Sequence, residues 1–363
     1  MYLHQRTDWW KFRFDLEVVM NRLGPVRAKQ GLMLGRMSAL GFDFQDEAML
    51  TTMSLELVRS CEIEGETLNM TEVRSSIARR LGIDTAGLVP ASRYVDGIVE
   101  MLLDATQNYD HPLTDERLFG WHSVLFPTGR SGLYPIEVGK YRTGEMQVVS
   151  GPMGHEKVHY EAPRPERVSE EMSRFIDWVN HDEGTDAVLR AGIAHLWFVS
   201  IHPFDDGNGR ITRAITDMLL ARSEDSAKRF YSMSNEIKIL QKEYYDVLEK
   251  TQGGDGDITE WLLWFLDCFN RALSSTEETL SSVLAKARFW EAHRDIQVNE
   301  RQRRIINMQF DGFFGKLTSG KWAKIGKCST DTALNDIRDL VNKGILRKNE
   351  EGGRSTNYSL VAE

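Results

Sequence analysis

Apolar residues recur every three to four positions along most of the chain, which is the spacing that places them on one face of an α-helix. The first two stripes cover residues 16–23 and 49–58, and Gly24-Pro25 predicts that the first helix ends after its stripe. Together the stripes predict helices within residues 9–83, at 94–105, 116–126, 187–200, 238–250 and 257–284, and from 169 onward. We therefore expect a mainly α-helical protein.

Residues 141–168 interrupt the helical pattern. Two short runs of strand-forming residues, at 147–149 and 158–160, flank the turn-forming segment 151–154, and two prolines follow them. This pattern predicts a small β-hairpin inserted between helices.

A different arrangement is expected after residue 294. Apolar residues predict a helix around 305–308, a second around 322–325, and a third that Ser329 caps and Gly344 ends. The inward-facing residues of the third would be Leu334, Ile337, Leu340 and Val341. Runs 345–348 and 356–360 predict a hairpin around Gly352-Gly353, and three helices with a hairpin form a winged helix-turn-helix. We expect an N-terminal helical domain (1–90), a helical core with the inserted hairpin (91–290) and an α+β winged helix (295–363).

The composition excludes several classes of protein. The chain has 363 residues, and its net charge of −9 argues against general binding to nucleic acid or membranes. Residues 296–363 differ, with 12 Lys/Arg against 8 Asp/Glu, which is 12 − 8 = +4. Its three cysteines form no C-x-x-C pair, so neither a disulfide framework nor a zinc site is indicated. No apolar signal core begins the chain, and the most apolar run, 261–269, is too short to span a bilayer. We expect a cytoplasmic protein with no membrane partner.

The segment from His202 to Arg213, with the sequence HPFDDGNGRITR, concentrates the chemistry of the chain. His202 can act as a general base near neutral pH. Gly207 and Gly209 allow backbone N–H groups to point into one concavity, which is an anion nest. The helix predicted from Ile211 would place this nest at a helix N-terminus, where the dipole also favours an anion.

Three charged residues complete this constellation. Arg210 and Arg213 are three positions apart, so both would project near the same helix end. Asp206 can hold the divalent cation that accompanies a nucleotide triphosphate. A polyphosphate could therefore be held beside a group that moves a proton.

This segment resembles the signature of the Fic family, His-x-Phe-x-Asp/Glu-Gly-Asn-Gly-Arg-x-x-Arg, at every defined position. Members of that family are mostly helical enzymes that usually transfer the AMP of ATP to a hydroxyl side chain of a target protein. The resemblance implies that His202 deprotonates a Ser, Thr or Tyr hydroxyl, that Asp206 holds Mg²⁺ on the phosphates, and that Phe204 anchors the loop. The nest and the grip on the β- and γ-phosphates would be supplied by Gly207, Asn208, Gly209, Arg210 and Arg213.

A second stretch, Ser60-Cys61-Glu62-Ile63-Glu64-Gly65, resembles the inhibitory pattern of the same family, Ser/Thr-x-x-x-Glu-Gly/Asn. Ser60 and Glu64 are four positions apart and would share one face of a helix that ends near Gly65. The resemblance implies that Glu64 pairs with Arg213 and displaces the γ-phosphate. The inhibitory helix would then precede the core in the same chain, although an ordinary helix end is the alternative.

The same resemblance implies two further groups of site residues. Those around the adenine and ribose would be Tyr244, Tyr245 and Gln252, for which helix-core packing is the alternative. Those on a flap that offers its backbone edge to a target peptide would be Val158, His159 and Tyr160. For the flap the alternative is a solvated loop.

Other functions stay open at this stage. The same site could remove AMP from a modified target, with Glu64 positioning water, or it could use another nucleotide-type donor. The chain could also be a DNA-binding regulator with a nucleotide-sensing core.

The predicted C-terminal domain bears on this last alternative. Its recognition helix and wing would carry Thr330, Asp331, Thr332, Asn335 and Arg354. This surface would also carry three acidic residues that repel a polyanion, namely Asp331, Asp336 and Asp339. Protein docking or homodimerisation is therefore weighed equally with DNA binding.

Overall fold

The computed structural model describes residues 1–39, 41–83, 88–150, 157–181, 184–310, 315–349 and 356–361. The chain divides into two compact units, one formed by Met1–Asp84 and Leu88–Thr276 and the other chiefly by Glu277–Glu363. The boundary that we expected at residue 90 falls inside the first unit, and the division into three domains stays a prediction. None of the described helices is long and apolar enough to cross a membrane.

Helices dominate the first unit, which confirms the expected mainly α-helical fold. In chain order they are α1 (Leu16–Ser38), α2 (Phe42–Ile63), α3 (Met70–Leu81), α4 (Arg93–Gln107), α5 (Asp115–Leu125), α6 (Pro165–His181), α7 (Ala187–Ile201), α8 (Asn208–Glu224), α9 (Met233–Ile239), α10 (Gln241–Gln252) and the first part of α11 (Thr259–Ala292), which belongs to the second unit from Glu277 on. Several begin after a residue whose side chain accepts a hydrogen bond from a first-turn amide, namely Asp15, Asn69, Ser92, Thr114, Asp186 and Ser232. These caps explain why many helix starts could be read from the sequence.

The first helix does not end at Gly24-Pro25, so that expectation was wrong. Its buried face continues beyond the proline through Val26, Met33 and Met37, and this packing offsets the roughly 3 kcal/mol that a proline costs inside a helix. The apolar stripe before the proline is also only half buried, because Leu16 and Met20 are exposed.

Two small antiparallel hairpins accompany the helices of the first unit. The first joins β1 (Arg130–Ser131) to β2 (Tyr134–Pro135), and the sequence had not indicated it. The second joins β3 (Gln147–Ser150) to β4 (Lys157–Glu161) and is the hairpin that we expected. The turn expected at 151–154 lies outside the described residues.

Helices α7 and α8 pack against each other inside the first unit and hold the segment between them. Side chains of α7 are buried along almost its whole length, and those of α8 are buried as far as Ala221. A Cβ at Gly192 would lie 2.9 Å from the ring of Phe265 in α11, so this glycine permits close packing of the two helices. Because both flanking helices are fixed by this core, the loop 202–207 has little freedom at either end.

The second unit contains α12 (Glu300–Phe310), α13 (Ser319–Gly326) and α14 (Thr330–Asn342), followed by the antiparallel strands β5 (Leu346–Lys348) and β6 (Tyr358–Leu360). Its core includes Trp322, Ile337, Leu340 and Ile345. Val341 was expected to face inward but is 37% exposed, because it follows Leu340 by one position and so points about 100° away around the helix. Assignment of a winged helix stays a prediction, and Gly352, Gly353 and Arg354 lie outside the described residues.

Asp336 of α14 does not face outward, which corrects our expectation that it would oppose a polyanion, whereas the side chain of Asp339 is 42% exposed. Asp336 is 7% exposed and accepts hydrogen bonds from Arg301 Nε at 2.5 Å and from Trp322 Nε1 at 3.1 Å. These donors lower the pKa of Asp336 against the opposing effect of burial. Asp339 pairs with Lys343 at 2.6 Å. Asp331 is exposed, as expected.

Candidate active site

His202 follows the last residue of α7 as its C-cap, in the left-handed conformation with φ of 52°. Its Nδ1 atom lies 3.2 Å from the carbonyl oxygen of Val199. Because a carbonyl can only accept, this contact places the proton of the neutral imidazole on Nδ1 and leaves the lone pair on Nε2. Burial lowers the pKa of His202, although the Val199 carbonyl and nearby carboxylates oppose this effect. The arrangement suits a general base.

The loop between α7 and α8 is held by hydrogen bonds from both sides. The side chain of Asn208 accepts from the amide of Phe204 at 2.9 Å and donates to its carbonyl at 2.7 Å. Buried Arg142 donates from Nε to the carbonyl of His202 at 2.8 Å. The buried ring of Phe204 stacks on His122 with centroids 4.3 Å apart, so Phe204 anchors the loop. Neither Arg142 nor His122 was identified from the sequence.

Helix α8 begins at Asn208, three residues before the start that we expected. Its first internal hydrogen bond joins the amide of Ile211 to the carbonyl of Gly207, so the amides of residues 208–210 are left at the helix end. Gly207 has φ of 82°, and a Cβ there would lie 2.9 Å from Phe126. Amides without a partner among the described residues and the helix dipole together favour an anion at this point.

The carboxylate of Glu64 lies at this same helix end. Glu64 is the C-cap of α2, and Gly65 turns the chain with φ of 81°. Arg213 donates from Nη2 to Glu64 Oε1 at 2.8 Å, and from Nε to Ser60 Oγ at 2.8 Å. A Cβ on Gly209 would collide with the same Glu64 oxygen. Glu64 therefore lies against the helix end at which the sequence predicts an anion nest.

Arg210 pairs with two residues that we did not identify from the sequence. It is 2% exposed, and its Nη1 lies 3.0 and 3.2 Å from the two carboxylate oxygens of Glu66 and 2.7 Å from the hydroxyl of Tyr94. Tyr94 also donates to Glu66. The only available signal was a second carboxylate two residues after Glu64, since nothing in the sequence connects Tyr94 with this site.

Both carboxylate oxygens of Asp206 accept a hydrogen bond. Ser131 donates to one carboxylate oxygen and the amide of Gly207 donates to the other at 2.5 Å. Burial lowers the pKa of His122 to about 4, so its imidazole is neutral. The ring donates from Nε2 to the Asp206 carbonyl at 3.2 Å. Within the described residues no group of three or more His, Cys, Asp or Glu could hold a metal. One carboxylate together with phosphate oxygens is, however, a set of ligands that Mg²⁺ accepts.

The three residues suggested for the adenine and ribose lie in different environments. Tyr244 is 3% exposed, and its hydroxyl lies 2.9 Å from Nε2 of buried His195. Gln252 is also buried and donates to Ser200 Oγ at 3.1 Å. Tyr245 is 44% exposed. Core packing accounts for the contacts of Tyr244 and Gln252, and all three nucleotide-binding assignments stay predictions.

The suggested flap residues lie on β4. Tyr160 is buried and donates from its hydroxyl to the Ser200 carbonyl at 2.7 Å, so it fixes the strand to α7. His159 Nδ1 lies 2.6 Å from Glu249 Oε2 of α10, and Val158 is 40% exposed. A role in docking a target peptide stays a prediction.

Comparison with known proteins identifies two regions of the chain. Residues 112–220 match the Fic/DOC family, and residues 2–83 match a family described as a domain of unknown function (DUF4172). A protein adenylyltransferase Fic of Culex quinquefasciatus is 31% identical over 228 residues, which are 60% of this chain and 40% of that protein. One of Aedes aegypti is 29% identical over 228 residues with the same coverage. The chain thus spans about 40% of the length of these relatives.

Solved structures show the same fold. A Fic family protein from Desulfovibrio desulfuricans superposes with a TM-score of 0.54 at 20% identity, over 97% of this chain and 98% of that one. A Fic-domain-containing signalling protein from Bacteroides thetaiotaomicron gives 0.51 at 20% identity, over 72% of this chain and 98% of that one. The matched region 112–220 includes the whole segment from His202 to Arg213. The chain therefore contains a region, residues 112–220, that is similar to the Fic/DOC family.

Proposed function

We propose that this protein transfers AMP from Mg-ATP to a Ser, Thr or Tyr hydroxyl of a target protein. The observation that carries the proposal is the position of His202, whose Nε2 is left for proton transfer beside a helix end with unpaired amides and two buried arginines. Relatives named protein adenylyltransferase support this activity.

The residues divide the chemistry between them. His202 Nε2 takes the proton of the target hydroxyl, whose oxygen forms a bond to the α-phosphorus of ATP. The bond from that phosphorus to the bridging oxygen of the β-phosphate breaks, and pyrophosphate leaves with the electron pair. Amides 208–210, Arg210 and Arg213 stabilise the negative charge and fix the geometry.

Asp206 fits the magnesium role that the family resemblance implies, because its carboxylate is partly exposed beside the phosphate-binding helix end. Bound Mg²⁺ would neutralise phosphate charge there. Ser131 and His122 would keep Asp206 oriented through the side-chain and backbone hydrogen bonds described above.

We propose that Glu64 inhibits the transfer. Its carboxylate accepts a hydrogen bond from Nη2 of Arg213 and lies against Gly209. A γ-phosphate that binds Arg213 would therefore have to displace Glu64. A charge-assisted hydrogen bond contributes roughly 1.5–3 kcal/mol, and 1.36 kcal/mol corresponds to about a tenfold change in rate. Removing the carboxylate should therefore increase transfer by at least about tenfold.

The test is labelling with ATP that carries the label on its α-phosphate. We expect label on protein mainly with Glu64→Gly, and none when His202→Ala is added to it although ATP still binds. Glu62→Ala is the matched control, since Glu62 lies on the same helix end but pairs with Arg59 at 2.6 Å. Equal labelling and equal ATP affinity in wild type and Glu64→Gly would refute the inhibitory role, and labelling by the His202 variant would refute the base.

Two related reactions use the same residues. With Glu64 in place, its carboxylate could orient a water for removal of AMP from a modified target. Absence of labelling with ATP, but release of AMP from a labelled protein that depends on Glu64, would favour this reaction. Labelling with another nucleotide donor at the same His202 would instead change only the substrate.

We propose duplex DNA as a second partner, bound through the C-terminal unit. The specific observation is that Asp336 and Asp339 are neutralised within the unit, while several cations of its surface are exposed. The exposed cations are Lys321, Lys324, Lys327, Arg338, Arg347 and Lys348. This charge distribution suits a polyanion better than the sequence alone had indicated.

A further inference from the structure

Arg210 makes its hydrogen bonds with one end of the guanidinium, and its Nη2 atom forms a looser ion pair with Asp206. Nη1 donates all three of these hydrogen bonds, two to Glu66 and one to Tyr94. Nη2 lies 3.6 Å from Asp206 Oδ1, which is beyond hydrogen-bond distance. Nε is buried and has no hydrogen-bond partner among the described residues. The edge formed by Nε and Nη2 therefore keeps two donors available on the side of Asp206.

Arg213 shows the opposite arrangement. Its Nε donates to Ser60 Oγ at 2.8 Å, and its Nη2 donates to Glu64 at 2.8 Å and to the Ser60 carbonyl at 2.9 Å. The same two-donor edge that binds a phosphate in bidentate fashion is thus fully occupied in Arg213 and open in Arg210. Glu64 therefore contacts the two-donor edge of Arg213, whereas Glu66 contacts the other end of Arg210.

We propose that Glu66 and Tyr94 are positioning residues, which hold Arg210 so that its open edge binds the β-phosphate, while Glu64 blocks Arg213. This inference rests on the proposed function, because it assigns the ligand of Arg210 from that reaction. The physical reason is preorganisation. An arginine side chain has many rotamers, and fixing Nη1 before the ligand arrives removes most of the ordering cost of binding.

One further contact and one unsatisfied donor support orientation over blockade. The guanidinium carbon of Arg210 lies 5.1 Å from the centroid of the Phe126 ring, which restricts the plane of the group. A blocking carboxylate would be expected on the Nε–Nη2 edge, as Glu64 is on Arg213, but Glu66 contacts the far end. A buried N–H without a partner is costly, so Nε of Arg210 is a donor that a ligand oxygen would satisfy.

The test measures ADP binding by calorimetry in the full chain with Glu64→Gly, so that Arg213 is available. Adding Glu66→Ala should weaken ADP binding about tenfold, the effect of one lost charge-assisted contact. Glu66→Gln should restore part of the affinity, because its amide oxygen can accept from Nη1. Tyr94→Phe should give a smaller loss, and Glu62→Ala should give none.

A double-mutant cycle separates positioning from a general structural effect. In an Arg210→Lys background, Glu66→Ala should add no further loss, because the group that it orients is gone. Unchanged or tighter ADP binding by Glu66→Ala would overturn the inference and make Glu66 a second inhibitor. Fully additive effects with Arg210→Lys would also overturn it. Absence of ADP binding in Glu64→Gly itself would overturn both this inference and the proposed function.

Discussion

His202 can take a proton only while its imidazole is neutral, and its surroundings favour that state. Burial is the largest influence and lowers the pKa below the ordinary value, whereas the negative charge of Glu64 raises it. In Glu64→Gly the opposing charge is removed, so the pKa should fall further. We expect kcat/KM for AMP transfer by this variant to stay constant as pH falls through about 6.5, and to decline only below it.

Only the neutral imidazole of His202 is active as a base. A lowered pKa extends the range of the neutral base toward acid pH, so the acidic limb of the profile moves down. The profile should be measured from pH 8 to 5, with ATP affinity followed over the same range to separate binding from proton transfer. An acidic limb centred at or above about 6.5 would contradict the assignment of His202 as a buried base.

The sequence alone indicated those site residues that stand close together in the chain. His202, Asp206 and the glycines stand together, and the spacing of Ser60 and Glu64 places both on one helical face. The positions of Arg142 and Tyr94 depend on contacts with residues 60 and 116 positions away in the chain, and no local pattern specifies such pairs.

Among the helices, the close approach of α4 and α5 depends on one glycine. A Cβ at Gly97 would collide with the carbonyl oxygen of Val124, and backbone atoms cannot move aside cheaply. We therefore expect Gly97→Ala to destabilise the protein by about 1–3 kcal/mol. Gly120, in α5, is exposed and has nothing within 4 Å of its Cβ position. Gly120→Ala should instead stabilise by about 0.5–1 kcal/mol.

Urea denaturation followed by tryptophan fluorescence compares the two variants with the wild type. The opposite signs are the test, since both changes add the same methyl group to a helical glycine. Equal shifts of the two midpoints would show that helix propensity, and not the contact with Val124, decides the outcome.

Element boundaries could be predicted where a cap or a change of period marks them, as at Asp186, Ser329 and Gly344. They could not be predicted where tertiary packing overrides a local signal. Pro25 lies inside α1 because the buried face continues past it, and α8 begins before Ile211 because Asn208 closes the loop with its side chain. In both cases the sequence signal exists, but tertiary packing or a side-chain hydrogen bond outweighs it.

For the whole molecule, the distribution of charge matters more than its sum. The net charge of −9 would repel DNA if it were spread evenly. Residues 315–349 instead carry eight Lys/Arg and three Asp/Glu, and two of those three acids are paired inside the unit. The sequence indicated the basic segment, but only the contacts of Asp336 and Asp339 show which charges remain at the surface.

This distribution predicts salt-dependent binding of duplex DNA by the intact protein. Each cation that contacts a phosphate contributes about −0.9 to the slope of log Kobs against log[salt]. Replacing Lys324 and Lys327 together by Glu should weaken binding and reduce the magnitude of the slope by about 2 if both contact phosphates.

The matched control replaces exposed Lys11 and Lys242 of the first unit by Glu, which changes the total charge equally. Equal weakening by both pairs would attribute binding to net charge alone, and stronger binding of single-stranded RNA would assign this surface to a different nucleic acid. No binding at about 50 mM salt, where phosphate contacts are strong, would leave protein docking as the role of the C-terminal unit.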